Sequence, residues 1–143
     1  SQLRKLPALV EKTLDICTTC KTLSAKWKSM SSCKFLGRQL MYPIAIEGAL
    51  KLKELAYVEC HGYPAGELKH GPLAAIGFHA TCLYLAPQKE LFDKNIIYLP
   101  KAPDYLQPIL AVIPLQFFSM YMAQRHNYNV DRPRHLAKSV TVE

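Results

Sequence analysis

The segment from Pro43 to about Val58 constrains the fold more than any other stretch of the chain. Placed at about 100° per residue, Ile44, Ala45, Ile46, Ala49, Leu50, Leu52, Leu55 and Ala56 cover most of the circumference of a helix. A helix that is apolar nearly all round belongs inside a domain. Pro43 suits its first position, where a backbone N–H has no intrahelical partner anyway. Yet Glu47, Lys51 and Glu54 fall together in one narrow stripe, spaced i, i+4 and i+3. The stripe has two readings. One is an internally paired strip facing solvent, the common use of such spacing. The other is a site, because a carboxylate beside an ammonium on a rigid helix can move a proton at a carbon next to a carbonyl.

The flanking segments read as α/β. Cys33 to Leu36 is a short strand ended by Gly37 and Arg38, and a brief loop joins it to the helix. Strand, loop and helix in that order place ligands at the carboxyl ends of strands. After the helix, Gly62, Pro64, Gly66, Gly71 and Pro72 predict an irregular loop that also holds Glu67, Lys69 and His70. Thr81 to Ala86 reads as a buried strand, Pro87 to about Asn95 as a short helix, and Ile96 to Leu99 as another strand. The connection between those two strands is shorter than the dozen or more residues that parallel neighbours require. Asp104 or Gln107 is placed to cap a last, strongly apolar helix over Ile109 to Ala123, with Pro108 in its first turn, Pro114 kinking it, and His126 and Asn127 ending it. Its Phe117, Phe118, Met120 and Tyr121 read as packing residues rather than a cofactor box. At the other end of the chain, residues 3 to 29 read as one amphipathic helix with Leu6, Val10, Leu14 and Cys17 on its apolar side, extended by Trp27.

Composition narrows the function classes. The 143 residues suit one domain with a real core, and no run of apolar residues is long enough for a membrane span. The N-terminal segment lacks the apolar core of a signal peptide. Five cysteines without regular spacing fit reduced thiols in the cytoplasm, and the Cys17–Cys20 pair lacks the further ligands of a zinc site. Most of the net charge of +7 gathers in the first 38 residues, where Arg4, Lys5, Lys12, Lys21, Lys26, Lys28, Lys34 and Arg38 face only Glu11 and Asp15. These cations lack interleaved aromatics, so a solvated helix face or an acidic neighbour is expected in place of nucleic acid.

Three longer motifs carry a resemblance. EGALKLKE at 47–54, AGELKHGPLA at 65–74 and LAKSVTVE at 136–143 resemble, in order, the isomerase half of the glutamine–fructose-6-phosphate aminotransferase family. More narrowly, they resemble the second of its two sugar-isomerase (SIS) domains. The resemblance implies a three-layer, flavodoxin-like parallel sheet flanked by helices, here short of about one strand–helix unit near residues 95/96. A shortened protein and an omitted stretch both explain the shortfall, and omission is favoured because the sequence on either side follows the family. It implies a lead-in helix over 1–30 from a preceding SIS domain, an SIS domain over 31–130, and a tail over 131–143 that closes over the sugar.

The implied reaction makes glucosamine 6-phosphate from fructose 6-phosphate and glutamine-derived ammonia. Four catalytic residues are implied: His70 for ring opening, Lys138 for a Schiff base, and Glu54 with Lys51 for proton transfer between C1 and C2. The expected partners are those sugar phosphates, the first SIS domain, the glutaminase domain and a second subunit that supplies the histidine. No cofactor, metal, nucleic acid or membrane is expected. Gln39 stands where the family usually has a glycine, and His135 where it has asparagine. The Ser/Thr-rich phosphate loop of the family is absent, so a fragment with little turnover of its own is expected. The alternative is a non-catalytic SIS module that binds sugar phosphates or dimerises.

Overall fold

The computed structural model describes residues 1–75, 80–85, 97–134 and 136. At its centre lies β1 (Ser32–Gly37), buried along nearly its whole length. It is paired in parallel with β2 (Glu59–Pro64) on one side and β3 (Ala80–Leu85) on the other. The order β2-β1-β3 requires the chain to cross back over β1 between β2 and β3. Cys33 stands opposite Cys60, Phe35 opposite Gly62 and Leu83, and Gly37 opposite Pro64 and Leu85. The architecture is α/β, with a three-stranded parallel sheet flanked by helices.

The helix expected from Pro43 spans Met41–Ala56 and is called α3; Pro43 sits in its first turn, where its ring clashes with nothing. Small residues line its inner face: Ala45, Gly48, Ala49 and Ala56 are buried with Leu52. They allow close approach to the sheet. A Cβ at Gly48 would lie 2.6 Å from a Leu115 methyl and 3.0 Å from the Phe35 ring. The helix is not buried all round, however. Ile46 and Leu50 are 45% and 41% exposed, and they share a face with exposed Pro43 and Lys53.

Helices α1 (Leu6–Ile16) and α2 (Thr18–Lys26) replace the single helix expected over 3–29, after a 3-10 turn at Gln2–Lys5. The break falls at Cys17, and the buried face is Thr13, Cys17, Cys20, Leu23 and Ser24 rather than the leucine stripe. Leu14 is exposed. The buried hydroxyls and thiols are satisfied locally or by the neighbouring helix. Thr13 donates to the Leu9 carbonyl, Cys17 to that of Thr13, and Cys20 to that of Pro114.

The last helix, α4 (Gln107–Arg125), carries buried Pro114 in its interior. Neither Asp104 nor Gln107 caps it: the Gln107 amide accepts from the Ala102 N–H and donates to the Pro100 carbonyl, bracing the preceding loop. The aromatic residues pack as expected, Phe118 edge-on to Trp27 at 5.9 Å and Phe117 against Tyr121 at 6.1 Å. Arg125 ties α4 to α2 by donating to Ser24 Oγ and the Lys21 carbonyl. Helix α3 packs on β1 and β2, α4 joins the same core through Leu115, Phe118 and Met122, and α1 and α2 pack in turn against α4. No helix among the described residues is long and apolar enough to cross a membrane.

Three further expectations change. Glu59–Pro64 is a strand where an irregular loop was expected, and the loop begins only at the 3-10 turns Ala65–Lys69 and Pro72–Ala75. Ile97 to Leu99 has no strand conformation. Lys34 is not on a solvated face but sits in β1, only 8% exposed. The expected helix over Pro87 to Asn95 and the 95/96 junction lie outside the described residues.

Candidate functional site

Helix geometry brings the ionisable stripe together. Residues three and four apart stack on one flank of α3, and Lys51 Nζ donates to Glu54 Oε2 at 2.7 Å while lying 3.8 Å from Glu47 Oε1. The first contact is a short, charge-assisted hydrogen bond. The side chains of Glu54, Lys51 and Glu47 are 21%, 31% and 39% exposed, so the stripe stands at the border of the core. The hydrogen bond to Glu54 raises the Lys51 pKa, burial opposes it, and the charges of Glu54 and Glu47 add to the rise. Lys51 therefore remains an ammonium, hydrogen-bonded to Glu54.

The pair has apolar company. On the helical wheel Leu50 and Ile46 continue the surface beside Glu54 and Glu47, giving α3 a face that is half ionised and half greasy. Apolar patches beside convergent polar groups mark places where another surface docks. The pair does not lie at the carboxyl edge of the sheet, where ligands were expected. Because α3 runs back from the carboxyl end of β1 to the amino end of β2, Glu54, two residues from its terminus, lies toward the amino edge.

His70 is placed differently. It follows the 3-10 turn beyond the carboxyl end of β2, exposed, with its backbone N–H bonded to the Glu67 carbonyl. The six residues of β2 extend for about 20 Å, so His70 and Glu54 lie toward opposite ends of the sheet. Among the described residues nothing bonds the His70 ring to Lys51 or Glu54. Lys138 lies outside the described residues, as does His135.

The loop between β1 and α3 holds Gln39 at φ +48°, a left-handed conformation that a glycine adopts without steric cost. Arg134 lays its guanidinium over the Tyr57 and Tyr128 rings, at 5.8 and 5.3 Å from their centroids. Its backbone N–H donates to the Tyr57 hydroxyl at 2.6 Å. Nothing in the local sequence pattern pointed to Tyr57, since the contact joins residues 77 apart.

The chain is similar along its length to curated proteins of one kind. The glutamine–fructose-6-phosphate aminotransferase (isomerizing) of Aquifex aeolicus is 37% identical over 172 aligned positions, covering 99% of this chain and 29% of the relative. That of Clostridium tetani is 38% identical over 173, covering 99% and 28%. The chain thus spans less than a third of the length of these relatives. Alignments of 172 positions against 143 residues mean that the relative carries roughly 30 internal residues absent here, the size of one βαβ unit. Among solved structures, the C-terminal domain of glucosamine-fructose-6-phosphate aminotransferase from Francisella tularensis superposes with a TM-score of 0.83 at 32% identity, covering 92% of this chain and 46% of that one. Glucosamine-6-phosphate deaminase from Thermotoga maritima, 20% identical, shares the fold with a TM-score of 0.74 over 94% and 49%. No protein-family model matches the chain.

Proposed function

The chain belongs to the isomerizing glutamine–fructose-6-phosphate aminotransferase family, matching one stretch of it from end to end; from that premise we propose that it is the second SIS domain of such an enzyme. It works on the open-chain ketose phosphate and shuttles the proton that turns a ketose into an aldose. The observation that carries this reading is the Lys51–Glu54 hydrogen bond of 2.7 Å on the border of the core. A module that only binds sugar phosphate has no need of an ammonium and a carboxylate held at that distance.

In this reading Glu54 removes the proton from C1 and returns it at C2, with the Lys51 ammonium stabilising charge as it develops. Lys138 condenses with the C2 carbonyl as a Schiff base with loss of water, and ammonia then displaces the lysine at C2, leaving an imine that acidifies the C1 protons. His70, whose imidazole can both donate and accept a proton, opens the sugar ring. The separation of His70 from Glu54 along the sheet supports a site shared by two subunits, with the histidine crossing from the second. The exposed Ile46 and Leu50 beside the pair support a cover supplied by the companion SIS domain, which also supplies the phosphate contacts. Residues 1–30 then lead in from that domain, and the tail from 131 closes the site. The ammonia comes from a glutaminase domain, and the enzyme works in the cytoplasm.

Borohydride reduction in the presence of fructose 6-phosphate tests the reading in the complete enzyme. A hexitol phosphate adduct on Lys138, lost in Lys138→Arg, is the expected result. No adduct at that lysine, with sugar phosphate still bound, overturns catalysis and leaves a binding module.

A further inference from the structure

Two thiols stand side by side in the sheet. Cys33 of β1 and Cys60 of β2 are opposite each other in the parallel register. Both are buried, in one core cluster with Ala45, Ala49 and Leu52 of α3, and both are free thiols. They lie within hydrogen-bonding reach of each other, and that contact together with burial pushes the Cys33 thiol well above its ordinary pKa. Packing beneath α3 asks for a small apolar residue at each place, which cysteine satisfies, but it does not ask for two thiols in contact.

The spacing of neighbouring strands, about 4.8 Å, falls inside the range of about 4.4–6.8 Å that a disulfide spans between Cα atoms. Parallel strands aim opposed Cβ atoms the same way, so these start about as far apart as the strands, whereas a disulfide holds them about 3.8 Å apart; closing the bond draws β2 toward β1 by about 1 Å. β2 is the strand that can move, because among the described residues it is bonded to β1 alone. Its start is also tied to the ionised stripe. Only Tyr57 and Val58 separate β2 from α3, and Glu54 lies in the last turn of that helix.

We propose that Cys33 and Cys60 are a redox-responsive thiol pair, which a peroxide-class oxidant joins in a disulfide that ties β2 to β1 and displaces Glu54 from Lys51. The bond stands on the sheet register, and its effect on the reaction rests on the function proposed above. Local opening of the edge strand exposes Cys60, which loses its proton and attacks one peroxide oxygen. The O–O bond breaks, leaving a sulfenic acid and a hydroxide that takes up the proton as water. The Cys33 sulfur then displaces the sulfenic hydroxyl, which leaves with the Cys33 proton as a second water. Two thiols and one hydrogen peroxide thus give one disulfide and two waters, with two electrons passed to the peroxide oxygens. While the strand is closed the Cys33 thiol stays protonated and unreactive, so the bond forms only through opening. Transient disulfides of this sensing kind are the ones that reducing compartments permit.

The complete enzyme is treated with graded hydrogen peroxide, and isomerisation of fructose 6-phosphate is followed without glutamine, so that only the sugar site is read. A peptide cross-linked between Cys33 and Cys60 is expected to appear as isomerisation falls at least about tenfold, and dithiothreitol is expected to reverse both. Cys60→Ala is expected to keep the rate of the reduced enzyme and to lose the response to peroxide. Cys33→Ala, which leaves the edge strand untouched, is expected to do the same, whereas Cys17→Ala keeps both rate and response. No cross-link at a dose that oxidises the exposed Cys82 overturns the thiol pair, and so does protection by Cys17→Ala in place of Cys60→Ala. A complete cross-link with isomerisation at the reduced rate overturns the displacement of Glu54. A reduced wild-type enzyme without isomerase activity overturns the function proposed above instead, and the mass of the cross-linked peptide then decides the thiol pair alone.

Discussion

Gln39 shows what a single side chain can add or remove. Its φ of +48° costs a non-glycine residue about 1 kcal/mol. Gln39→Gly is expected to stabilise the chain by about 1 kcal/mol in urea unfolding. Lys51 separates stability from function in the opposite way. Its ion pair is part exposed, so Lys51→Met should cost under about 1 kcal/mol of stability while lowering isomerisation at least about 100-fold. Equal losses in both measurements would mark the pair as structural. Cys20 reports burial through pH. Burial pushes its thiol from 9.0 up to about 12, with the neighbouring Cys17 adding to the rise. The folded state thus favours the protonated thiol, and the stability this brings is complete below pH 9.0 and lost as pH climbs toward 12. Stability measured across that window should fall less steeply in Cys20→Ala than in the wild type. The stripe Glu47, Lys51 and Glu54 was legible from spacing alone, because i, i+3 and i+4 neighbours meet on any α-helix.

At the scale of elements, legibility followed the period of the apolar pattern. Helices α3 and α4 and strands β1 and β3 have apolar runs long enough to announce themselves, and each was found within a few residues of its place. Strand β2 was not, because its residues Glu59, His61, Gly62 and Pro64 argue for a loop and only the hydrogen bonds from β1 make it a strand. Edge strands tolerate such composition because one side of the backbone needs no partner. The break between α1 and α2 was equally invisible, since the buried Thr13, Cys17, Cys20 and Ser24 are residues that composition assigns to neither face. The closeness of α3 to β1 and α4 makes its own prediction. Gly48→Ala gains helix propensity, yet its methyl meets Leu115 and the fully buried Phe35. A net loss of about 1–2 kcal/mol is expected in urea unfolding, and a gain would show that the interface has slack.

For the whole molecule, the separation of His70 from Glu54 makes the most decisive prediction. If the site is built from two subunits, Glu54→Gln and His70→Ala enzymes, each inactive, should recover about a quarter of wild-type activity when unfolded together and reassembled, because half the dimers are mixed and each mixed dimer has one intact site. No recovery would place both residues in one subunit. The missing unit of roughly 30 residues also belongs to this scale: the family resemblance implied it, and the longer alignments of the relatives match its size. The sequence by itself determined the α/β class, the helix that carries the Lys51–Glu54 pair and the family, because these depend on local periodicity and on motifs that are contiguous in the chain. Tertiary structure alone decided that β2 is a strand, that α3 leaves Ile46 and Leu50 uncovered, and that Tyr57 holds Arg134. Each of those depends on which distant backbone or ring comes within a few ångströms, and no window of sequence contains that distance.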